Sequence, residues 1–450
     1  MRHLPNLSTS FHEGRAFGWS AGQTMVVNQK TITLGLIMAA LVSAQPPQSV
    51  APVTLEQSIQ EALAHNLDLA AEKLNITVAE ARQITARLRP NPVLTVSGQT
   101  LNILGADYSP NTPLGPNQLN IHTDFPFEGG HKRENRIAVA KEEKTLAELG
   151  VREVMRQVIS NVQSAFVDVQ LAKENLKLAQ SNLKALEGVV EINEVRLKSG
   201  DLAQVELDRS RLAALQYRAA VQQAELARDQ AKTQLQLVLG RKVKSPDFDV
   251  TDELRKDEIT NTTVDFERLA LMRRPDYLYN QQTEARSRAD LKLQLANGKI
   301  DYTIGTEFTR QAAWGVAGNS IGLYFSMPLR VFNKNQGEIA RAQREITLGG
   351  ARSEASKISI QTEVEKAYRQ YAVSKQLMSN IQTDMLARAK SVRDTTEYSY
   401  RRGEASLVEF LDAQRAFNDT MQIFNEASAN YARSLYLLDT VSGATVNGSN

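Results

Sequence analysis

The 450-residue chain contains no cysteine. That excludes disulfide frameworks, thiolate nucleophiles, cysteine-based zinc sites and acylated-cysteine anchors together. Histidine is scarce, at positions 3, 12, 65, 122 and 131, and no two lie four apart as a helical metal-binding pair would. Excess charge of one sign is lacking too. Fifty-three basic residues against 51 acidic ones leave +2, which argues against a nucleic-acid binder or a polybasic membrane surface. Mean hydropathy is −0.35, and only one apolar run approaches membrane-spanning length. A polytopic helical membrane protein is therefore excluded. No glycine-rich phosphate loop, nucleophile elbow or His–carboxylate cluster is present, so neither an enzyme nor a bound cofactor is expected.

What the sequence does contain begins with a short apolar stretch, Thr31 to Val42, preceded by Lys30 and followed by Ser43-Ala44-Gln45. A cationic flank, a core too short to span and small residues at its end read as a secretory signal cleaved after Ala44. Residues 1–24 do not resemble the start of such a signal, and Met25 is a plausible initiator. Residues 1–44 are thus read as an extension plus signal peptide, and the mature chain as exported.

Proline maps the rest. None falls between Pro126 and Pro246, and none after Pro328. Proline costs a helix interior about 3 kcal/mol, so long helices fit these gaps. Each gap holds one break, Lys198-Ser199-Gly200-Asp201 and Arg401-Arg402-Gly403-Glu404, with glycine where a helix end favours it. Each gap reads as two antiparallel helices, about 132–198 with 202–239, and about 336–401 with 405–440. Met155, Val158, Val162, Ala165, Val169, Ala172, Leu176, Ala179, Leu183, Leu186 and Val190 step by three and four alternately, a coiled-coil seam. In the last helix Phe410, Phe417, Phe424, Tyr431 and Leu438 recur every seven residues.

The halves match at an offset of about 202 to 208. Ala62–Leu69 aligns with Ala270–Tyr277, Gly200 with Gly403, Val205-Glu206 with Val408-Glu409, and Leu239-Gly240 with Ser442-Gly443. The chain reads as a duplication: repeats at 54–240 and 265–443, a charged linker at 241–264 and a tail at 444–450. Before each long helix lie period-two segments, half-buried strands by pattern. They fall at about 92–103 (the poorest), 118–127, 300–309 and 320–329, with loops at 104–117 and 310–320. Their apolar face could cover a core or meet lipid. The strand length suits a tilted membrane strand, and no globular segment is left to cover the sheet. Four strands cannot close a membrane barrel, and an open edge in lipid is forbidden. A trimer with twelve strands is the simplest closed solution.

These features, from about Thr54 to Gly443, resemble the TolC family of outer-membrane efflux channels. Phe125–Arg133 and Met327–Gly337, where strand passes to helix, are particularly similar to its heavy-metal, CzcC-like branch. The resemblance implies a mainly α fold with a β-barrel portion. Two tandem repeats would each give two transmembrane strands and long coiled-coil helices, trimerising into a twelve-stranded barrel continued by an α-helical barrel across the periplasm. It implies an outer-membrane location in a Gram-negative cell, contact with outer-membrane lipid, and no nucleic-acid partner. A periplasmic adaptor would dock on the helix tips, and an inner-membrane RND transporter would supply the energy for a passive duct, with metal cations as cargo.

The segment Gly403–Asp412 resembles the family's periplasmic entrance, which two acidic residues three apart narrow. Glu409 and Asp412 match, and Glu206 matches in the first half. Residues three apart share a helix face, a threefold ring of carboxylates attracts cations, and crowding would raise some of their pKa values. Lys198, Ser199, Gly200, Asp201, Arg401, Arg402, Gly403 and Glu404 are the implied adaptor contacts. A drug-efflux or type I secretion channel is the alternative within the family. A soluble periplasmic coiled-coil adaptor or scaffold is the alternative outside it.

Overall fold

A computed structural model describes residues 51–101, 117–242, 247–313 and 316–444. The signal-peptide reading and most of the 104–117 loop lie outside these residues. The first half runs β1 (Ala51–Val53), α1 (Leu55–His65), α2 (Leu67–Arg87), β2 (Val93–Gln99), β3 (Asn117–Phe127), α3 (Lys132–Ser199) and α4 (Gln204–Val238). Then come β4 (Phe248–Val250), α5 (Thr263–Arg273), α6 (Pro275–Asn297), β5 (Tyr302–Ala313) and β6 (Val316–Ser326). The chain ends with α7 (Gln336–Asn380), a π-helical turn at Ile381–Met385, α8 (Leu386–Arg402) and α9 (Leu407–Ser442).

Local chemistry repeats between the halves. Thr54 with Gln57, and Thr262 with Asp265, form reciprocal capping boxes ahead of α1 and α5. Asn66 and Arg274 then break the helix with the same angles, φ −66° and ψ 122°. Asn66 caps α2 with its side chain, 2.9 Å from Leu69 N. Pro275 starts α6 instead, where a helix has no need of the amide donor that proline lacks. His131 and Asn335 both take left-handed backbone at the entry to α3 and α7.

At 1.5 Å per residue, the 68 residues of α3 extend roughly 100 Å. Its seam buries Val158, Val162, Ala165, Val169, Leu176 and Leu186. Two cores sit on corresponding helices. One gathers Ile59, Phe166, Leu235, Leu239 and Phe248; the other gathers Phe266, Ile360, Val364, Tyr431 and Leu435. The 241–264 stretch is more than a linker. β4 lies in it and pairs in parallel with β1, Val53 opposite Val250, which drives Phe248 into the first core.

Four strands form one antiparallel sheet in the order β2-β3-β5-β6. β2 covers only part of the expected 92–103 segment. The expected loop at 310–320 is largely strand: Arg310 pairs with Asn319 and Gln311 with Gly318. Ladder hydrogen bonds override the weak strand propensity of Gly318 and Asn319. The apolar face is uncovered. Ile321 is 81% exposed, Leu323 80% and Leu94 66%, so this face does not cover a core. The other face carries His122, Asp124, Glu307 and Tyr324, which the register sets side by side.

The second long helix is not continuous. Its inward stripe runs Ile360, Val364, Ala367, Tyr371, Ser374, Met378, Ile381 and resumes at Ala389, Arg393, Thr396, Tyr400. The step from 381 to 389 is one residue too long for the heptad, and the π-helical turn absorbs that extra residue.

Candidate functional site at the helix tips

Both hairpins end in the same turn. Gly200 and Gly403 adopt φ +85° and +81°, a conformation that costs other residues roughly 1–2 kcal/mol. Gly200 N donates to Leu197 O and Asp201 N to Arg196 O; Gly403 N donates to Tyr400 O and Glu404 N to Ser399 O. This Schellman pattern satisfies the last helix carbonyls. Ser199 Oγ donates to Asp201 Oδ2 at 2.8 Å, and Arg401 pairs with Glu397 at 2.7 Å. Arg402 lies 4.6 Å from the centroid of the Tyr398 ring. Lys198 and Glu404 are exposed and make no ion pair among the described residues.

The tips of the two hairpins are joined within one chain. Arg196 Nη2 donates to Arg401 O at 2.7 Å. Beneath it Leu186, Val189, Ala213, Leu407 and Phe410 close around Tyr400, whose ring stacks on Phe410 at 5.5 Å. The buried Tyr400 hydroxyl donates to Asn193 Oδ1 at 2.6 Å, leaving Asn193 Nδ2 without an acceptor. Burial first, partly offset by Asn193, raises the Tyr400 pKa above its ordinary value. Further along, Gln414 Nε2 donates to Asn182 Oδ1 at 3.0 Å, and Asn182 Nδ2 donates to Asn418 Oδ1 at 2.7 Å. Asn425 Nδ2 donates to Asn175 Oδ1 at 2.9 Å. A polar ladder thus runs between α3 and α9. Sequence reading missed it because it followed the apolar seam; the Asn residues just beside that seam are the available signal.

The proposed aperture residues have local partners. Glu409 is the third residue of α9 and closes the capping box that starts it: its Oε2 accepts from Ser406 N at 2.7 Å and Ser406 Oγ at 2.9 Å. These bonds, backbone first, hold its carboxyl below the ordinary value. Within the chain this opposes the upward shift expected from a carboxylate ring. Asp412 lies 3.6 Å from Arg415, and Glu206 2.8 Å from Arg209. Glu409 and Asp412 are both exposed, while Phe410, Ala413 and Gln414 between and beyond them on α9 are buried. No group of three or more potential metal-ligating side chains occurs among the described residues.

The model of one family, described as outer membrane efflux protein, matches residues 58–241 and 268–444. The chain belongs to that family. This outer membrane efflux protein is a channel and not an enzyme, and it sits in the outer membrane with a large periplasmic helical portion. It is 25% identical over 389 residues to the cobalt-zinc-cadmium resistance protein CzcC of Cupriavidus metallidurans, covering 84% of this chain and 86% of that protein. Crystal structures of CusC match it with a TM-score of 0.70 at 19% identity, over 88% of this chain and 93% of CusC. The open-state MtrE channel of Neisseria gonorrhoeae matches with a TM-score of 0.69 at 16% identity, over 86% and 88%. The two matched segments fall one in each half of the duplication.

Proposed function

We propose that three copies of this chain form the outer-membrane duct of a tripartite efflux system and that its cargo is metal cations. The observation that carries the trimer is the sheet. It has an uncovered apolar face and two edges, β2 and β6, with no outer partner among the described residues. Unpaired backbone in lipid costs several kcal/mol per group. Joining β6 of one copy to β2 of the next removes every edge, and twelve strands lie within the range of known barrels. The polar face with His122, Asp124 and Glu307 then lines the lumen. α3, α4, α7, α8 and α9 continue the wall away from the membrane, and the tips become its far end.

At that end Glu409, Asp412 and Glu206 from three copies form an acidic aperture. Residues 198–201 and 401–404 meet a periplasmic adaptor, which links the duct to an inner-membrane RND transporter. The cation cargo is supported by the similarity to a protein named for cobalt, zinc and cadmium resistance.

Light scattering in detergent tests the assembly: the protein component should weigh three times the mass of the mature chain. A chain that stays monomeric without detergent overturns the duct reading. The cysteine-free background allows single cysteines along β2 and β6 to be crosslinked between copies. For cargo, cells lacking the chain should become sensitive to cobalt, zinc or cadmium. Sensitivity to drugs alone assigns the duct to drug efflux.

A further inference from the structure

A cleft of about 310 Å³ lies where the sheet passes into the helices, and the tip mechanism makes no use of it. Its floor is aromatic. Phe127 and Tyr302 stack at 5.3 Å on the apolar face of the sheet, and Tyr302 continues onto Phe325 at 6.0 Å. Its rim is cationic. Arg89 and Arg133 line it, and neither has a carboxylate partner among the described residues. The Arg133 Nε donates instead to the Arg87 carbonyl at 2.6 Å, which fixes the side chain beside the cleft. The other charges lining it are largely compensated. Lys132 is buried against Asp301 at 2.6 Å, and Glu128 is paired with Arg136. Glu134 is exposed, 3.9 Å from His131. Lys132 to Glu134 also begin the 68-residue α3, whose amino-terminal dipole adds positive potential.

Two guanidiniums with no carboxylate partner among the described residues, above an aromatic floor at the end of a lipid-facing strand, match the headgroup of an anionic phospholipid. Guanidinium binds the phosphate oxygens in a fork, and the rings lie level with the glycerol and upper acyl chains, where aromatic side chains favour the interface. We propose that this cleft seats the headgroup of an anionic phospholipid from the periplasmic leaflet, one per chain. Basic pockets at membrane interfaces bind phospholipid phosphates by this chemistry. In a chain without cysteine, such seats would fix the barrel's depth and rotation in the bilayer. The inference rests on the lipid-facing reading of the sheet.

Native mass spectrometry of the detergent-purified protein tests it, with dioleoylphosphatidylglycerol, dioleoylphosphatidylcholine, glycerol phosphate and inorganic phosphate as separate probes. Phosphatidylglycerol should be retained, about one per chain. Arg89→Gln with Arg133→Gln should weaken its retention by on the order of tenfold, and Arg89→Lys with Arg133→Lys should restore most of it. Arg352→Gln with Lys390→Gln, exposed cations on α7 and α8, should leave it unchanged. Equal retention of phosphatidylcholine, or loss in the Arg352/Lys390 control, overturns the site. Displacement of the lipid by glycerol phosphate or inorganic phosphate at equal concentration marks a free-phosphate site and also overturns it. A protein that carries no detergent micelle overturns the channel reading along with this one; a micelle-bound protein without phosphatidylglycerol preference overturns this one alone.

Discussion

The Glu409 carboxylate accepts two hydrogen bonds from Ser406, so an alanine there removes a charge and a helix start together. Glutamine separates the two, because the third helical position, which closes a capping box, takes Gln as well as Glu. Glu409→Gln with Asp412→Asn should keep α9 intact and lower the cation preference of single channels in planar bilayers by several-fold. Unchanged selectivity would remove both residues from the aperture. Tyr400 carries a second prediction. Tyr400→Phe leaves buried Asn193 with no partner at all, at a cost of about 1–3 kcal/mol. Hydrogen exchange at 186–200 and 400–410 should rise by about tenfold, with the sheet region unchanged. That Glu409 and Asp412 share a helix face was legible because a spacing of three is a local pattern, whereas an aperture role for them came only from the family resemblance. The Tyr400–Asn193 bond was not, because its partners lie 207 residues apart and a single Asn in a helix carries no mark of what it will meet.

The elements were legible to the degree that their patterns are local. The proline-free gaps and the tip glycines marked the long helices because each follows from one residue's backbone limits. The π-helical turn was not legible. Ala389, Arg393 and Thr396 are not an apolar stripe, and their shift by one residue emerges only when burial is known. Where α5 meets α6, Arg274 is 3% exposed and holds Asp276 and, across to α7, Glu363, each at 2.6 Å. Burial disfavours the charged form of Asp276, but the Arg274 hydrogen bond and charge outweigh it, and the carboxyl stays below its ordinary value. A depressed carboxyl stabilises the folded state fully above its unfolded pKa, about 3.9, and loses that contribution as pH falls through the folded value. Exchange across 263–280 should therefore increase as pH is lowered below about 4, after correction for intrinsic rates. Asp276→Asn should flatten that acid limb and cost roughly 3 kcal/mol at neutral pH, because it strips a partner from a buried guanidinium.

At the scale of the whole molecule, alternation in the strands showed an apolar face but not what it faces. The fold answers with Ile321, 81% exposed at the middle of β6 and far from either core. An apolar surface of this kind is a liability in water and a requirement in a bilayer. One substitution distinguishes the two settings. Arginine on the lipid face near the midplane of a barrel costs about 2–4 kcal/mol, and three copies incur it together. Ile321→Arg should sharply reduce the protein recovered in the outer-membrane fraction. Ser320→Arg, one residue away on the polar face, should assemble normally and alter conductance instead, because its charge enters the lumen. A periplasmic scaffold would behave in the opposite way: Ile321→Arg would raise its solubility and leave its assembly intact. Fractionation of the two variants side by side, read as trimer per total chain, therefore tests the membrane barrel without reference to cargo, adaptor or pump.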